Sequence, residues 1–234
     1  KITDVTIPSS INSVGAEAFL GCTHLINLTI KDNKTELTCG KDLFKNTSLR
    51  NAHIGRTLTG NGVFGGISTL TNVSLSNNVK TLTPLMFYMT GLKTIDIPNS
   101  VDKIDGDAFN KANSLEKITV QNGNAKYASD GGALYDKAKK TLILLPHNSK
   151  ITDFRIPETV VTIKQQAITS GYIKSLVIPS RIQTIETDAI LCTKIERIYI
   201  NNAVPPTVNE HGFTAPQFVI TNTKLCIPGG KLNL

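Results

Sequence analysis

The pattern in this sequence most typical of cofactor chemistry is a glycine-rich segment at residues 60–65, Gly-Asn-Gly-Val-Phe-Gly. It fits the GxGxxG pattern, whose backbone cradles the phosphates of a dinucleotide. Such a site also needs a strand before it, a helix after it and an acidic residue about 20 positions further on. No Asp or Glu occurs between Asp42 and Asp96. The segment therefore predicts a tight loop and no cofactor.

Two groups of residues have the chemistry of metal ligands but not the spacing. Asp102, Asp105 and Asp107 lie close together, but a calcium-binding EF-hand loop requires ligands at alternate positions and a later Glu. Cys22 and His24 are close in sequence, but no second His or Cys lies at ligand spacing. We therefore predict no bound metal, and we interpret Asp107 as the start of a short helical turn.

The elements that position any site come from a repeat that recurs, with one interruption, every 21 to 24 residues. Each repeat has an apolar triad at positions −5, −2 and 0, and position 0 is its anchor: Ile7, Ile30, Ile54, Leu75, Ile97, Val120, Ile156, Ile178 and Ile200. The alternation of −2 and 0 is the period of a strand with one buried face. Since one such strand cannot bury its face alone, successive repeats are predicted to stack into a parallel sheet, about 4.8 Å per strand.

A second pattern follows most anchors by eleven and twelve residues: a small residue and then a large apolar one, as in Ala18-Phe19 and Ala108-Phe109. We predict that this pair lies on a short helical turn that packs back against the strand layer. In the seventh and eighth repeats Ile168 and Ile190 take the place of Phe. The local geometry of those two repeats is therefore expected to differ, while the fold is retained.

The repeats carry a family resemblance. Residues 5–22 and 95–109, with their Ile-Pro after the strand and Ala-Phe in the turn, are similar to the BspA-like, treponemal class of leucine-rich repeat. The resemblance implies an α/β solenoid: a right-handed superhelix with a parallel concave β-sheet and short helical or irregular convex turns. It also implies a cell-surface or secreted protein of a bacterium or a mucosal protozoan, which adheres to host matrix or to other cells.

The chain is predicted to form one leucine-rich repeat solenoid over residues 1–234. Residues 1–123 hold repeats one to six, and residues 151–202 hold repeats seven to nine. Between them, residues 124–150 resemble the family's hairpin insertion, which we expect to project from the regular coil. Residues 203–234 resemble its C-terminal closing segment.

The outward positions −1 and −3 of the predicted strands decide between an enzyme and a binding protein. Glycoside hydrolysis needs two carboxylates about 5 to 9.5 Å apart. No two carboxylates are neighbours in these columns; Asp96, for example, has Ser74 and Thr119 on the flanking repeats. A non-enzymatic binding function on the concave sheet is therefore predicted. The alternative is a polysaccharide-active β-helix enzyme, a lyase or a hydrolase, because a coil of this length also suits that scaffold.

The predicted ligand-binding residues are polar outward side chains in the C-terminal half of the sheet: Asp96, Lys117, Asp153, Arg155, Arg197 and Tyr199. Arg155 and Tyr199 lie two repeats apart on one column, and both residue types are enriched at interface hot spots. Arg197 and Lys117 add positive charge near them, which favours an acidic partner. The predicted partner is a host or bacterial surface protein or a glycan, and the expected oligomeric state is a monomer.

The charge and hydropathy of the chain limit its other partners. Twenty-five Lys and Arg against 18 Asp and Glu give a formal net charge of +7, which could indicate a polyanion. The only dense patch, Lys137, Lys139 and Lys140, has no interleaved aromatic residues, as single-strand binding would need. We therefore predict no nucleic-acid partner. No run of hydrophobic residues, including residues 142–145, is longer than five. This is too short for a membrane helix, so no membrane span is predicted in this chain.

Overall fold

The computed structural model describes residues 1–200 and 207–209 and the backbone of residues 224–226. The chain divides into two compact units, with the boundary between Lys126 and Tyr127. The predicted closing segment, residues 203–234, lies almost wholly outside the described residues. The single solenoid over residues 1–234 stays a prediction.

The first unit is built from alternating longer and shorter strands: β1 Asp4–Ile7, β2 Ser13–Val14, β3 Asn27–Ile30, β4 Leu37–Cys39, β5 Asn51–Ile54, β6 Leu58–Thr59, β7 Asn72–Leu75, β8 Thr81–Leu82, β9 Thr94–Ile97, β10 Lys103–Ile104 and β11 Lys117–Val120. The longer strands pair in parallel as β1-β3-β5-β7 and as β9-β11. The shorter strands pair in parallel as β2-β4-β6 and as β8-β10. Each of the first five repeats therefore contributes one longer strand and one shorter strand, and the sixth contributes β11. This is the geometry of a parallel β-solenoid.

The second unit repeats this arrangement and begins with a hairpin: β12 Tyr127–Asp130, β13 Ala133–Asp136, β14 Thr141–Leu144, β15 Asp153–Arg155, β16 Thr162–Ile163, β17 Ser175–Ile178, β18 Thr184–Ile185, β19 Arg197–Ile200, β20 Thr207–Val208 and β21 Lys224–Cys226. The longer strands pair in parallel as β15-β17-β19-β21. β13 pairs in antiparallel fashion with both β12 and β14, and β14 pairs in parallel with β16. The hairpin thus does not simply project, because its last strand joins the sheet of shorter strands.

Six of the nine anchor residues are buried, as predicted, and the other three, Leu75, Val120 and Ile200, are half-buried. Ile30 and Ile97 in the first unit and Ile178 in the second are each 0% exposed. Positions −1 and −3 alternate with the buried positions −2 and 0, so β9 has the pattern exposed, buried, exposed, buried. This alternation places the polar −1 and −3 side chains on the outer face of the longer strands.

The predicted helical turns are wrong, because the described residues contain no helix. Glu17 and Leu85 each have a left-handed backbone, with φ of 59° and 55°, and one such residue interrupts a right-handed helix. The turns also bond between repeats instead of within a helix: the Phe19 N–H donates to the Leu43 carbonyl at 3.1 Å, and the Phe87 N–H to the Ala108 carbonyl at 2.9 Å. The fold is therefore a parallel β-solenoid without the α component. No helix of the described residues could cross a membrane.

An aromatic stack fills the turn layer of the first unit. The rings are nearly parallel, with centroids 5.4 to 6.2 Å apart and interplanar angles of 7° to 17°. They belong to Phe19, Phe44, Phe64, Phe87 and Phe109. Offset stacking of this kind adds to the free energy that burial of the rings already supplies.

In the second unit, aliphatic residues occupy the turn positions that the Phe rings occupy in the first unit. Leu145, Ile168 and Ile190 are fully buried, and their backbones form successive parallel β-bridges. The repeats that lack Phe therefore have no ring stack at this position, and their turns form β-bridges there.

Two cysteine thiols are buried in the described residues. Burial raises the pKa of both Cys39 and Cys192 to about 12 from an ordinary value of 9.0. Burial likewise raises the pKa of the Tyr135 hydroxyl. All three groups therefore hold their protons in the folded chain at a pH where the unfolded chain releases them.

We expect the free energy of unfolding to fall as the pH rises above about 9. A group whose pKa is raised by folding contributes its full stability at any pH below its unfolded pKa. That contribution is lost as the pH rises from the unfolded pKa to the folded pKa. For Cys39 and Cys192 that window runs from pH 9 to about 12. Each thiol lowers the stability by up to about 1.4 kcal/mol per pH unit there. Urea unfolding under reducing conditions at about pH 8 and pH 10.5 measures the slope.

The control is the double variant Cys39→Ala and Cys192→Ala, which has nothing to ionise at these positions. Its stability should depend less steeply on alkaline pH than that of the parent chain. Equal slopes for the two proteins would contradict the assignment of the pH dependence to these thiols.

Candidate functional site

The six predicted ligand-binding residues lie on outward positions of the longer strands but are divided between the two units. The first unit holds two of them, Asp96 on β9 and Lys117 on β11. The second unit holds the other four: Asp153 and Arg155 on β15, and Arg197 and Tyr199 on β19. Tyr199 is half-buried and the others are exposed. Their role in binding stays a prediction.

Asp96 is engaged within its own unit. Its carboxylate accepts hydrogen bonds from the Thr119 hydroxyl and from the Gln121 side-chain amide, both at 2.8 Å. Lys117 lies opposite Thr94 in the strand register, not opposite Asp96. The two charged residues of the first unit are therefore not a matched pair, and Asp96 serves to join β9 to the next repeat.

The register of the second unit brings the other four predicted residues into two columns. Arg155 and Tyr199 lie in one column with Val177 between them. Asp153 and Arg197 lie in the adjacent column, separated by Ser175, which is buried. Two strand spacings separate the members of each column by about 10 Å at the backbone. A ligand that contacts Arg155 and Tyr199 together must therefore be at least that long.

A column of cations around a tyrosine lies directly before the same strands. Lys150, Tyr172 and Lys194 each precede the first residue of β15, β17 or β19 by three positions. The Lys150 ammonium lies 4.0 Å and the Lys194 ammonium 5.8 Å from the centre of the Tyr172 ring. Lys150 Nζ also donates to the Tyr172 hydroxyl at 2.7 Å. The sequence prediction missed this column, although its 22-residue spacing was a signal that could have shown it.

Together, six side chains define the cationic region of the second unit: Lys150, Arg155, Tyr172, Lys194, Arg197 and Tyr199. The region combines four positive charges with two aromatic rings. Two carboxylates lie on or directly beside the same strands: Asp153, which accepts a hydrogen bond from the Thr152 hydroxyl at 2.9 Å, and Glu196, which lies 3.9 Å from Lys174. The four positive charges outnumber them. The region is therefore suited to an anionic ligand.

The outer sheet face of the first unit has a different chemistry, a ladder of side-chain amides. The Asn72 amide donates to the Asn51 oxygen at 2.8 Å, Asn51 donates to the Asn27 oxygen at 2.8 Å, and Asn27 donates to the Asp4 carboxylate at 2.6 Å. Asp4 also accepts from the Thr3 hydroxyl. These two hydrogen bonds lower the pKa of the Asp4 carboxyl. The ladder runs across four strands and holds its side chains in one orientation.

A depression of about 390 Å³ lies beside this ladder. Its lining is the outer face of β3, β5 and β7 with the start of β9: Asn27, Leu28, Thr29, Asn51, Ala52, His53, Thr71, Asn72, Val73, Ser74 and Thr94. No Asp, Glu, Lys or Arg is among these lining residues. The depression is therefore a polar surface without carboxylate, ammonium or guanidinium groups.

Within the depression, a histidine lies between a serine and an aspartate. His53 Nδ1 is 2.9 Å from the Ser74 hydroxyl, and His53 Nε2 is 3.8 Å from a carboxylate oxygen of Asp32. A hydrolytic triad needs a hydrogen bond from histidine to its carboxylate, and 3.8 Å is beyond that distance. The hydrogen bond with Ser74 therefore orients the His53 ring, and His53 and Ser74 contribute hydrogen-bonding groups to the lining.

Asp105 and Asp107 are two of the three clustered aspartates considered above as calcium ligands. The Asp107 carboxylate accepts a hydrogen bond from the Leu85 N–H of the preceding repeat at 3.3 Å. The prediction that Asp107 starts a helical turn is therefore wrong, because its partner belongs to another repeat. Burial, and then the nearby Asp105, raise the pKa of Asp107. In the described part of the chain, no three His, Cys, Asp or Glu residues converge as a metal site would require.

Most of the chain matches one family model. Residues 1–116 and 147–217 match the BspA type leucine rich repeat region, with six copies of the repeat. No curated protein matches the chain.

Solved structures of bacterial leucine-rich repeat proteins are similar to this one. A leucine-rich repeat protein from Eubacterium ventriosum is 25% identical, with a TM-score of 0.66 over 88% of this chain, and the chain spans 56% of that protein's length. The pneumococcal vaccine antigen PcpA is 16% identical, with a TM-score of 0.65 over 98% of this chain and 80% of its own. A leucine-rich cell surface protein from Faecalibacterium prausnitzii is 21% identical, with a TM-score of 0.56 and the same two coverages. At 16% and 21% identity, the last two structures are evidence only of a shared fold.

Proposed function

Because the chain belongs to the BspA-type leucine-rich repeat family, we propose that it is a non-enzymatic binding protein that holds a macromolecule on its outer strand faces. Repeat proteins of this kind present extended surfaces for binding other molecules. The observation that carries the proposal is the cationic region of the second unit. The partner it fits is an anionic surface molecule of a host cell or a bacterium, either an acidic protein or a glycan.

The side-chain types in the cationic region support this assignment. Arginine and tyrosine are over-represented among residues that contribute most to binding. The 10 Å separation of Arg155 from Tyr199 along one column suits a polymer that crosses several strands. Positive charge on a rigid sheet also accelerates the encounter with an anionic partner, and the rate falls as salt increases.

The family and the similar structures support a surface location. PcpA is a vaccine antigen, and the Faecalibacterium protein is a cell surface protein. We propose the same kind of location here, secreted or at the cell surface, with adhesion to matrix or to other cells as the role. The enzyme alternative has less support, because the outer strand positions of the described residues carry no carboxylate pair at the spacing that glycoside hydrolysis needs.

We expect the double variant Arg155→Ala and Tyr199→Ala to weaken binding by about 2 kcal/mol or more, roughly a 30-fold rise in Kd. The first step is a screen of the purified chain against matrix proteins and anionic glycans at low and high salt. The double variant is then compared with the parent chain on the strongest partner. Both side chains point outward, so the melting temperature should change little.

The matched control is Arg181→Ala, which removes an exposed arginine of the same unit that lies in the loop after β17. It should bind as the parent chain does. Normal binding by the double variant, combined with loss of binding in variants of the turns or of the hairpin, would contradict the proposed surface.

A further inference from the structure

We infer that the depression on the first unit binds an uncharged, hydroxyl-rich oligosaccharide. This inference goes beyond the proposed function, because it concerns other strands, other side chains and a ligand without charge. It rests on three properties of the depression: its unused hydrogen-bonding groups, its lack of charged lining residues, and its size.

The amide ladder presents donors and acceptors side by side at a fixed spacing. An asparagine amide has two N–H donors and an oxygen with two lone pairs. Asn51 uses one N–H toward Asn27 and one lone pair toward Asn72, so one of each remains, and the same holds for Asn27. A sugar hydroxyl is itself both donor and acceptor. It can therefore bond to the remaining N–H of one amide and the oxygen of another.

The ladder fixes these groups before any ligand arrives. The Asn27 and Asn51 amides are each held by neighbours in the strands on both sides. Their side chains are therefore already ordered, and little conformational entropy is lost when a ligand binds. The hydroxyl groups of Thr29, Ser74 and Thr94 and the ring of His53 lie on the same lining. Because the strands are about 4.8 Å apart, these groups repeat at an interval that an elongated ligand can follow.

The same lining disfavours the other ligand classes. A sulfated glycan or an acidic protein would find no Lys or Arg among the lining residues, and the carboxylates at its edge, Asp4 and Asp32, would repel it. An apolar ligand needs a mostly apolar pocket, and here only Leu28, Ala52 and Val73 are apolar. The volume of about 390 Å³ lies within the range of small-ligand sites.

The central test replaces Asn51, the middle residue of the ladder. Asn51→Ala removes one remaining donor and one remaining acceptor and frees both neighbouring amides to rotate. We expect binding of an uncharged hexasaccharide to weaken about tenfold. The probes are a cellulose-type glucan hexamer and its N-acetylated chitin-type counterpart, measured by titration calorimetry on the whole chain. At least one of them should bind the parent chain.

A second variant separates loss of binding from loss of folding. Ser74→Trp fills the depression from an exposed position on β7 without removing a ladder bond, and it should abolish binding with an unchanged melting temperature. The control Asn77→Ala removes an exposed asparagine just after β7 that does not line the depression. It should bind as the parent chain does.

Three results would overturn the inference. The first is no binding of either hexamer to the parent chain. The second is binding that Asn51→Ala and Ser74→Trp leave unchanged. The third is binding that is lost between about 0.01 M and 1 M salt, since an uncharged ligand has no such dependence. Arg155→Ala with Tyr199→Ala should leave hexamer binding intact, so failure of this inference is distinguishable from failure of the proposed function.

Discussion

Replacement of Phe87 by alanine is expected to lower the free energy of unfolding by about 3 to 5 kcal/mol. The Phe87 ring is fully buried and stacks on two neighbours, Phe64 at 6.2 Å and Phe109 at 5.6 Å. The substitution removes both stacking contacts and leaves a cavity inside the aromatic stack. Urea unfolding of the parent chain and the variant measures the change in the free energy of unfolding. The dependence of that free energy on urea concentration should be the same for both proteins.

The control for this prediction keeps an apolar side chain of intermediate size but removes the ring. Phe87→Leu should cost less, about 1.5 kcal/mol or below if neighbouring side chains repack. Equal losses for the two variants would mean that filling the space contributes little. A loss below about 1 kcal/mol for Phe87→Ala would contradict a close-packed stack.

We expect Arg56→Met to lower the free energy of unfolding by about 2 to 4 kcal/mol. Arg56 is 0% exposed, and its guanidinium donates to the carbonyls of Pro8 at 3.0 Å, Ile11 at 2.6 Å and Ser9 at 3.4 Å. A hydrogen bond from a charged donor contributes about 1.5 to 3 kcal/mol. Methionine keeps part of the buried stem and provides no donor, so the first and third repeats lose these bonds.

The matched control is Arg50→Met, which changes an exposed arginine of the same unit and should alter stability by less than about 0.5 kcal/mol. Burial of the guanidinium has its own cost, and its Nε has no hydrogen-bond partner in the described residues. If Arg56→Met is as stable as the parent chain, that desolvation cost equals the contribution of the three bonds.

Much of the fold could be predicted because one side of each longer strand is uniformly apolar. The triad that ends in Ile97 fixes both the position of β9 and the direction of its side chains, and the spacing of anchors gives the parallel pairing. The shorter strands could not be predicted in the same way. β16 is only two residues long, Thr162–Ile163, and its pairing depends on neighbours in other repeats.

The turns were predicted incorrectly for a physical reason. Glu17 and Leu85 have positive φ, and neither residue type favours that conformation. Tertiary contacts therefore impose a backbone that the local sequence does not specify. The buried state of Arg56 was hidden for the same reason, because its partners lie 45 to 48 positions earlier in the chain.

For the candidate site, the sequence could predict only which outward side chains share a column across neighbouring strands. Alternation along the strands placed Arg155 and Tyr199 in one outward column, and the register shows them there. It could not show that Asp96 is bonded to Thr119 and Gln121. The amide ladder was visible as a row of asparagines, but its hydrogen bonds depend on side-chain angles.

The aromatic stack also limits how the number of repeats in such a chain can change during evolution. Unequal recombination exchanges whole repeats, and a product survives only if each new neighbour completes the packing of the old one. A duplicated repeat that carries Phe64 would add one ring to an unbroken column. The same repeat inserted beside Ile168 would set a planar ring against a branched chain whose backbone pairs by β-bridges. Copy number is therefore expected to change by duplication among Phe-bearing repeats or among Ile-bearing repeats, with few surviving transfers from one kind to the other.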